Sequence, residues 1–213
     1  MKHTLSVKLA LCILLVLAVS SICPAQVFAP QSFSADFSST SGNGTKANGK
    51  YYFSPPNFRM DMTANGQNLS VITDGSTQTS YIVMHDRHMY METHSNQPSP
   101  FVRQQPGLPR DFDPKNPCAW ATQHEATSCK SLGTEMANGR LCDKYTGTSK
   151  DGKTMTGWID QKLHFPIKGV SSDGGSFDFS NIKEGRPDAS LFQAPSGYQK
   201  MNIPNMPGGH PPH

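Results

Sequence analysis

The chain has 213 residues, with 19 Lys and Arg against 16 Asp and Glu for a formal charge of +3. So small an excess excludes the basic footprint that nucleic-acid binding requires. A charged fraction of 16% with 18 Gly and 17 Pro fits a β-rich, turn-rich chain better than a helical one.

Lys2 and Lys8 form a positive n-region ahead of the apolar run 9–22, and Cys23 and Ala25 place small residues at −3 and −1 of a cleavage site. The pattern is a secretory signal, too short and wrongly flanked for a membrane anchor, with the cut expected after Ala25. Ile22 stands where a lipidated Cys23 would want Gly, Ala or Ser before it, which argues against a lipoprotein. Without the leader the formal charge falls to +1. The expected organisation is a signal peptide at 1–25, one β domain at 26–200 with a Pro-rich loop or lid at 94–128, and a disordered tail at 201–213. The expected location is the periplasm or the exterior, with no transmembrane segment after cleavage.

From Phe33 onward, short alternating apolar runs separated by turn chemistry predict antiparallel hairpins. The first runs are 33–37, 49–53 and 58–62, with Pro55-Pro56 between the second and third. Asn65-Gly66 predicts a type I′ hairpin turn into 67–73, and Asp74-Gly75 turns the chain again. A further hairpin, 79–84 with 89–93, closes a β-meander. The stretch 94–117 has six prolines and little periodicity, which predicts a loop across one mouth of the sheet. A short helix is expected at 119–125. Hairpins resume at 130–136 with 140–146, and at 153–160 with 163–170, followed by a strand at 176–182. The sum is about ten strands in one antiparallel sheet. Asp188 to Phe192 reads as one helical turn, with Leu191 and Phe192 turned inward and Tyr198 packed over the barrel end.

Export to an oxidising compartment predicts a disulfide among Cys118, Cys129 and Cys142. Cys118 and Cys129 bracket a polar loop. The Asn138-Gly139 turn puts Cys142 opposite Glu135, far from Cys129, so the expected pair is Cys118 with Cys129. Spacing of these cysteines around His124 lacks a paired Cys-x-x-Cys unit, and no metal site or other cofactor is expected. No nucleophile elbow, His-Glu-x-x-His, P-loop or dinucleotide fingerprint is present, so no catalytic residue is named.

Several phrases occur in a telling order: Phe58-Arg-Met-Asp-Met62, the hairpin from Tyr81 to Tyr90, Leu132-Gly-Thr-Glu135, Asn138-Gly-Arg140, Gly157-Trp-Ile-Asp160, Phe165-Pro-Ile-Lys168, Ile182-Lys-Glu-Gly185 and Pro195-Ser-Gly-Tyr198. With the signal peptide, they resemble the LolA/LolB-like superfamily of exported bacterial proteins, in a branch of small periplasmic domains distinct from the lipoprotein carrier. The resemblance implies a mainly β protein: a single open, strongly curved antiparallel sheet, an incomplete barrel with a short helical or loop lid over an apolar hollow. It also implies a lipid or lipoprotein acyl chain as ligand.

Met60, Met62, Leu69, Val71, Met84, Met89 and Phe165 are the expected lining of the inner face, since unbranched thioethers suit a wall that repacks around varied apolar ligands. Two readings from other classes stand beside this one. One is an envelope interaction module with a filled core and a protein partner. The other is a copper-handling protein using Met84, His85, His88, Met89, Met91 and His94, although strand alternation separates the imidazoles from the thioethers.

Overall fold

The computed structural model describes residues 31–94, 112–124 and 126–201. The expected signal peptide, most of the Pro-rich loop and all but Met201 of the expected tail lie outside the described residues.

Twelve strands form one sheet: β1 (Phe33–Thr40), β2 (Lys46–Ser54), β3 (Asn57–Ala64), β4 (Gln67–Asp74), β5 (Thr79–Met84), β6 (Met89–His94), β7 (Ala126–Ala137), β8 (Arg140–Ser149), β9 (Thr154–Asp160), β10 (Phe165–Ser171), β11 (Ser176–Glu184) and β12 (Gln199–Met201). The spatial order is β12-β6-β5-β4-β3-β2-β1-β11-β10-β9-β8-β7, so the sheet is open, with β12 and β7 as its edges. Two meanders, β1 to β6 and β7 to β11, are joined where β1 pairs with β11. Every pairing is antiparallel except the last, where β12 runs parallel to β6.

Local chemistry sets the turns. Asn65-Gly66 and Asn138-Gly139 both have positive φ at both residues, +50° and +76° in the first and +51° and +76° in the second, as a type I′ turn demands. The second turn sets Glu135 opposite Cys142, and the Cys142 thiol is buried and unpaired. Burial pushes that thiol up to about 11. At the β9–β10 turn, Asp160 is 1% exposed and accepts from the backbone N–H groups of Lys162 (2.8 Å) and Leu163 (2.7 Å). Arg140 bonds the same carboxylate and reaches Glu184 on β11 at 2.9 Å, tying the end of the β7–β8 hairpin across to β11.

The larger core is aromatic. Phe33, Tyr51, Phe53, Phe58, Phe165 and Phe179 are all buried. Phe33 meets Phe165 edge-on at 5.0 Å between centroids, and Tyr51 meets Phe179 at 5.0 Å. Each such burial contributes roughly 2 kcal/mol by the area removed from water.

A second, smaller core lies on the other face of the sheet. Ile72, Val83 and Phe192 are buried there, with Tyr52, Tyr81, Tyr90, Leu191 and Tyr198 packed around them. This corrects the expectation that Leu191 and Phe192 turn inward. On β4 and β5 both faces are apolar, Val71 and Ile82 on one side and Ile72 and Val83 on the other, so the back of the sheet needs a cover as well. The 3₁₀ turn Ala189–Phe192, capped by Asp188 accepting from the Ser190 N–H at 2.9 Å, supplies it. Arg59 donates to the Leu191 carbonyl at 3.2 Å and holds the turn down. Tyr198 then reaches His85 at 2.9 Å and stacks on His88 at 5.2 Å, and the chain pairs with β6 as β12. That short parallel strand carries no strand signal of its own, and with it the sheet exceeds the expected size.

The expected helix is present but begins earlier. α1 (Pro117–Gln123) starts with Pro117 at its first turn, and Asn116 caps it by accepting from the Ala119 N–H at 3.3 Å. Proline reads as a breaker in sequence, yet it is favoured at the first helical position. Among the described residues no helix is long and apolar enough to cross a membrane.

A candidate ligand-binding hollow

The register explains why a space opens on the concave face. One row of directly opposed residues runs Tyr145, Gly157, Gly169, Phe177 and Ser39 across β8, β9, β10, β11 and β1. Two neighbouring strands thus present glycine at the same level, and Gly147 on β8 adds a third in the next row, opposite Met155. Glycine inside a strand leaves no side chain to fill the sheet face. The Phe177 ring lies over Gly169, where a Cβ would come within 2.3 Å of it, whereas a Cβ at Gly157 meets only the Lys168 carbonyl at 3.9 Å.

The result is a hollow of about 930 Å³. Phe37, Phe165, Phe177 and Phe179 make its aromatic wall, and Met60, Met62 and Val71 on β3 and β4 face it. α1 forms the roof through Pro117, Trp120, Ala121 and His124, with Phe112 beside it. Trp120 meets Phe112 edge-on at 5.6 Å and stacks on His124 at 4.4 Å. A disulfide between Cys118 on the helix and Cys129 on β7 fixes the roof to the sheet, with the two Cα atoms 5.3 Å apart. Cys129 itself lines the hollow.

Polar groups gather at the rim. The Lys153 ammonium lies 3.4 Å from both Asp151 and Asp173, and their contact raises its pKa, Asp173 contributing most. Both carboxyls are held below the usual range: Asp151 chiefly by the Ser149 hydroxyl, Asp173 chiefly by the Gly175 N–H. On the floor, burial pushes the Tyr145 phenol up, with the Asp143 charge adding to it.

Of the residues expected to line the inner face, Met60, Met62, Val71 and Phe165 border the hollow. Leu69, Met84 and Met89 share that face, since Met62, Leu69, Met84 and Met89 form one cross-strand row, but they extend from the hollow toward the β12 edge. The glycine floor and the wall of Phe37, Phe177 and Phe179 were not expected, whereas the roof falls in the expected lid at 94–128, with α1 starting two residues before the expected helix. Glycine within an alternating run was the readable signal for the floor.

The Met and His groups of the β5–β6 hairpin are separated. His85 bonds Ser70, which is buried on the back of the sheet and donates to Asp61 at 2.5 Å, while Met84 and Met89 face the other way. Among the described residues no group of three or more His, Cys, Asp or Glu is placed to hold a metal ion.

Residues 36–100, a minority of the chain, match a family described as "Domain of unknown function (DUF4412)". Among curated protein sequences none matches significantly. In fold, the chain is similar to an uncharacterized conserved protein from Thermus thermophilus, at 10% identity and a TM-score of 0.54, over 81% of this chain and 90% of that one. It is also similar to MucB, at 17% identity and 0.52, over 79% of this chain and 59% of MucB. The Pseudomonas aeruginosa MucA/MucB complex gives 18% identity and 0.50, over 85% and 62%. The chain therefore spans about three fifths of the MucB chains it matches. At such identities the likeness is one of fold.

Proposed function

We propose that this is an exported, non-enzymatic binding protein of the LolA-like kind that holds an acyl chain or a comparable apolar ligand on the concave face of its open sheet. The observation that carries the reading is the hollow of about 930 Å³, roofed by α1 and walled by phenylalanine, methionine and valine. Ligand sites are large, concave and mostly apolar, with a few polar groups at fixed points. A closed core of the same residues would leave no such volume. The export signal at 1–25 belongs to the same proposal and places the protein in the periplasm or outside the cell.

The test is to purify the exported protein natively, extract it with organic solvent and analyse the extract by mass spectrometry. A lipid near one equivalent supports the reading, and N-terminal sequencing of the same sample should begin at Gln26. An empty protein would sink it.

A second reading is a protein-interaction module of the cell envelope. The fold likeness to a protein solved in complex with a partner, MucA/MucB, favours it. So does the edge strand β7, where Leu132 and Met136 are exposed beside Leu141 on β8. An empty protein that cross-links to one envelope protein in cells would move the weight here.

A further inference from the structure

We infer that the ligand of the hollow is a two-chain lipid with an uncharged head, and that Gly157 is the residue that admits the second chain. This rests on the apolar-ligand reading above and names its ligand class. The first argument is volume. A methylene takes up roughly the space of a water molecule, about 30 Å³, so a hollow of about 930 Å³ accommodates on the order of thirty methylenes, two chains of about fifteen carbons. A single chain of that length would fill about half of the space and leave the remaining apolar wall against water.

The second argument is where the space comes from. The aromatic wall and the methionine face supply one side for a chain to lie against. The other side is the floor, where Gly169 is already covered by the Phe177 ring. Gly157 is the open position: a Cβ there meets nothing closer than the Lys168 carbonyl at 3.9 Å, and its φ is not in the left-handed region. A side chain at 157 would therefore project into the hollow without straining the strand. Val71, half-buried on β4 and six places from β9 in the sheet order, borders the same hollow. Bulk added at either position takes up space that a second chain needs.

The third argument concerns the head. Lys153 is the cation at the rim, and it is shared between Asp151 and Asp173 at 3.4 Å each. With both carboxylates on it, the Lys153 ammonium is already engaged and offers little to a carboxylate or phosphate head. Ser39 and Ser171 also border the hollow and offer hydroxyls to a neutral ester or alcohol.

The experiment loads the delipidated full-length exported protein with dimyristoylglycerol, monomyristoylglycerol or myristate and reads stoichiometry by native mass spectrometry. Expected are one dimyristoylglycerol or two monomyristoylglycerols per protein, with myristate at least tenfold weaker. Gly157→Leu should keep one monomyristoylglycerol and lose dimyristoylglycerol at least tenfold, and Val71→Trp should do the same from β4 if Gly157→Leu does not fold. Wild-type protein that takes one monomyristoylglycerol and no dimyristoylglycerol overturns the two-chain inference while the apolar-ligand reading stands. Protein that takes none of the three brings down both. Variants that load dimyristoylglycerol as the wild type does remove Gly157 and Val71 as determinants, and tight myristate binding overturns the uncharged head.

Discussion

Val71 and Ile72 are chain neighbours on β4 that serve opposite sides of one sheet: Val71 borders the hollow, and Ile72 is fully buried on the back with Val83 and Phe192. The two cores are thus insulated from each other by a single layer of backbone. Phe192, at 4% exposure, belongs wholly to the back. Phe192→Ala should cost about 3 kcal/mol, the transfer and cavity loss of a buried phenylalanine. It should leave ligand loading unchanged once the protein is folded. Urea unfolding measures the first, and native mass spectrometry the second. A large loss of loading at unchanged stability would mean that the closing segment does reach the hollow.

The same alternation marks what the sequence made legible. Asn65-Gly66 and Asn138-Gly139 are strong local signals, and the strands flanking them follow from period-two runs. The face of Met60, Met62 and Val71 could be read because its phase is fixed by those turns. The closing segment was misread because alternation shows that a strand has an apolar face without showing that β4 and β5 have two. β12 was invisible because three residues paired in parallel with β6 carry no periodicity. The start of the roof helix was obscured by Pro117, a residue whose helical role depends on standing at the first turn.

Asp160 is the most buried carboxylate among the described residues, 1% exposed, and serves Arg140 and two backbone N–H groups at once. Asp160→Ala strands the Arg140 guanidinium and both donors, and removing one partner of a buried pair costs about 3–5 kcal/mol. Glu184→Gln, at the exposed end of the same network, should cost less than about 1 kcal/mol. Denaturant midpoints of the two variants give the comparison, and equal midpoints would deny Asp160 its central place.

Glu92 binds Lys200 at 2.9 Å and so clips β12 to β6. The hydrogen bond from Lys200 holds its carboxyl below the usual value of 4.5. A carboxylate with a depressed folded pKa contributes stability that is fully present above the unfolded value and lost as pH falls through the folded one. Between pH 7 and pH 5 the clip should therefore hold, and below about pH 4.5 it should weaken. Amide protection of Gln199 to Met201, taken relative to the unstructured chain at the same pH, should fall in acid in the wild type. In Glu92→Gln that protection should be low already at pH 7 and change little on acidification. An unchanged acid response in that variant would assign the effect to another carboxyl.

The disulfide is the remaining constraint on the hollow, and its effect should be local. Cys118 and Cys129 are 11 residues apart, and closing a loop of that size removes about 3 kcal/mol of conformational freedom from the unfolded chain. α1 has only seven residues and little packing other than on β7, so without the bond it has few contacts to keep it in place. A Cys118→Ser/Cys129→Ser double variant should lower the stability of the roof without disturbing the strands. Hydrogen exchange should show α1 unprotected while β1 to β6 keep wild-type protection. A loaded lipid should then leave faster, because a roof held only by Trp120 and its neighbours opens more often. Wild-type release rates in a variant whose α1 is demonstrably unprotected would show that the ligand's exit does not pass under the helix.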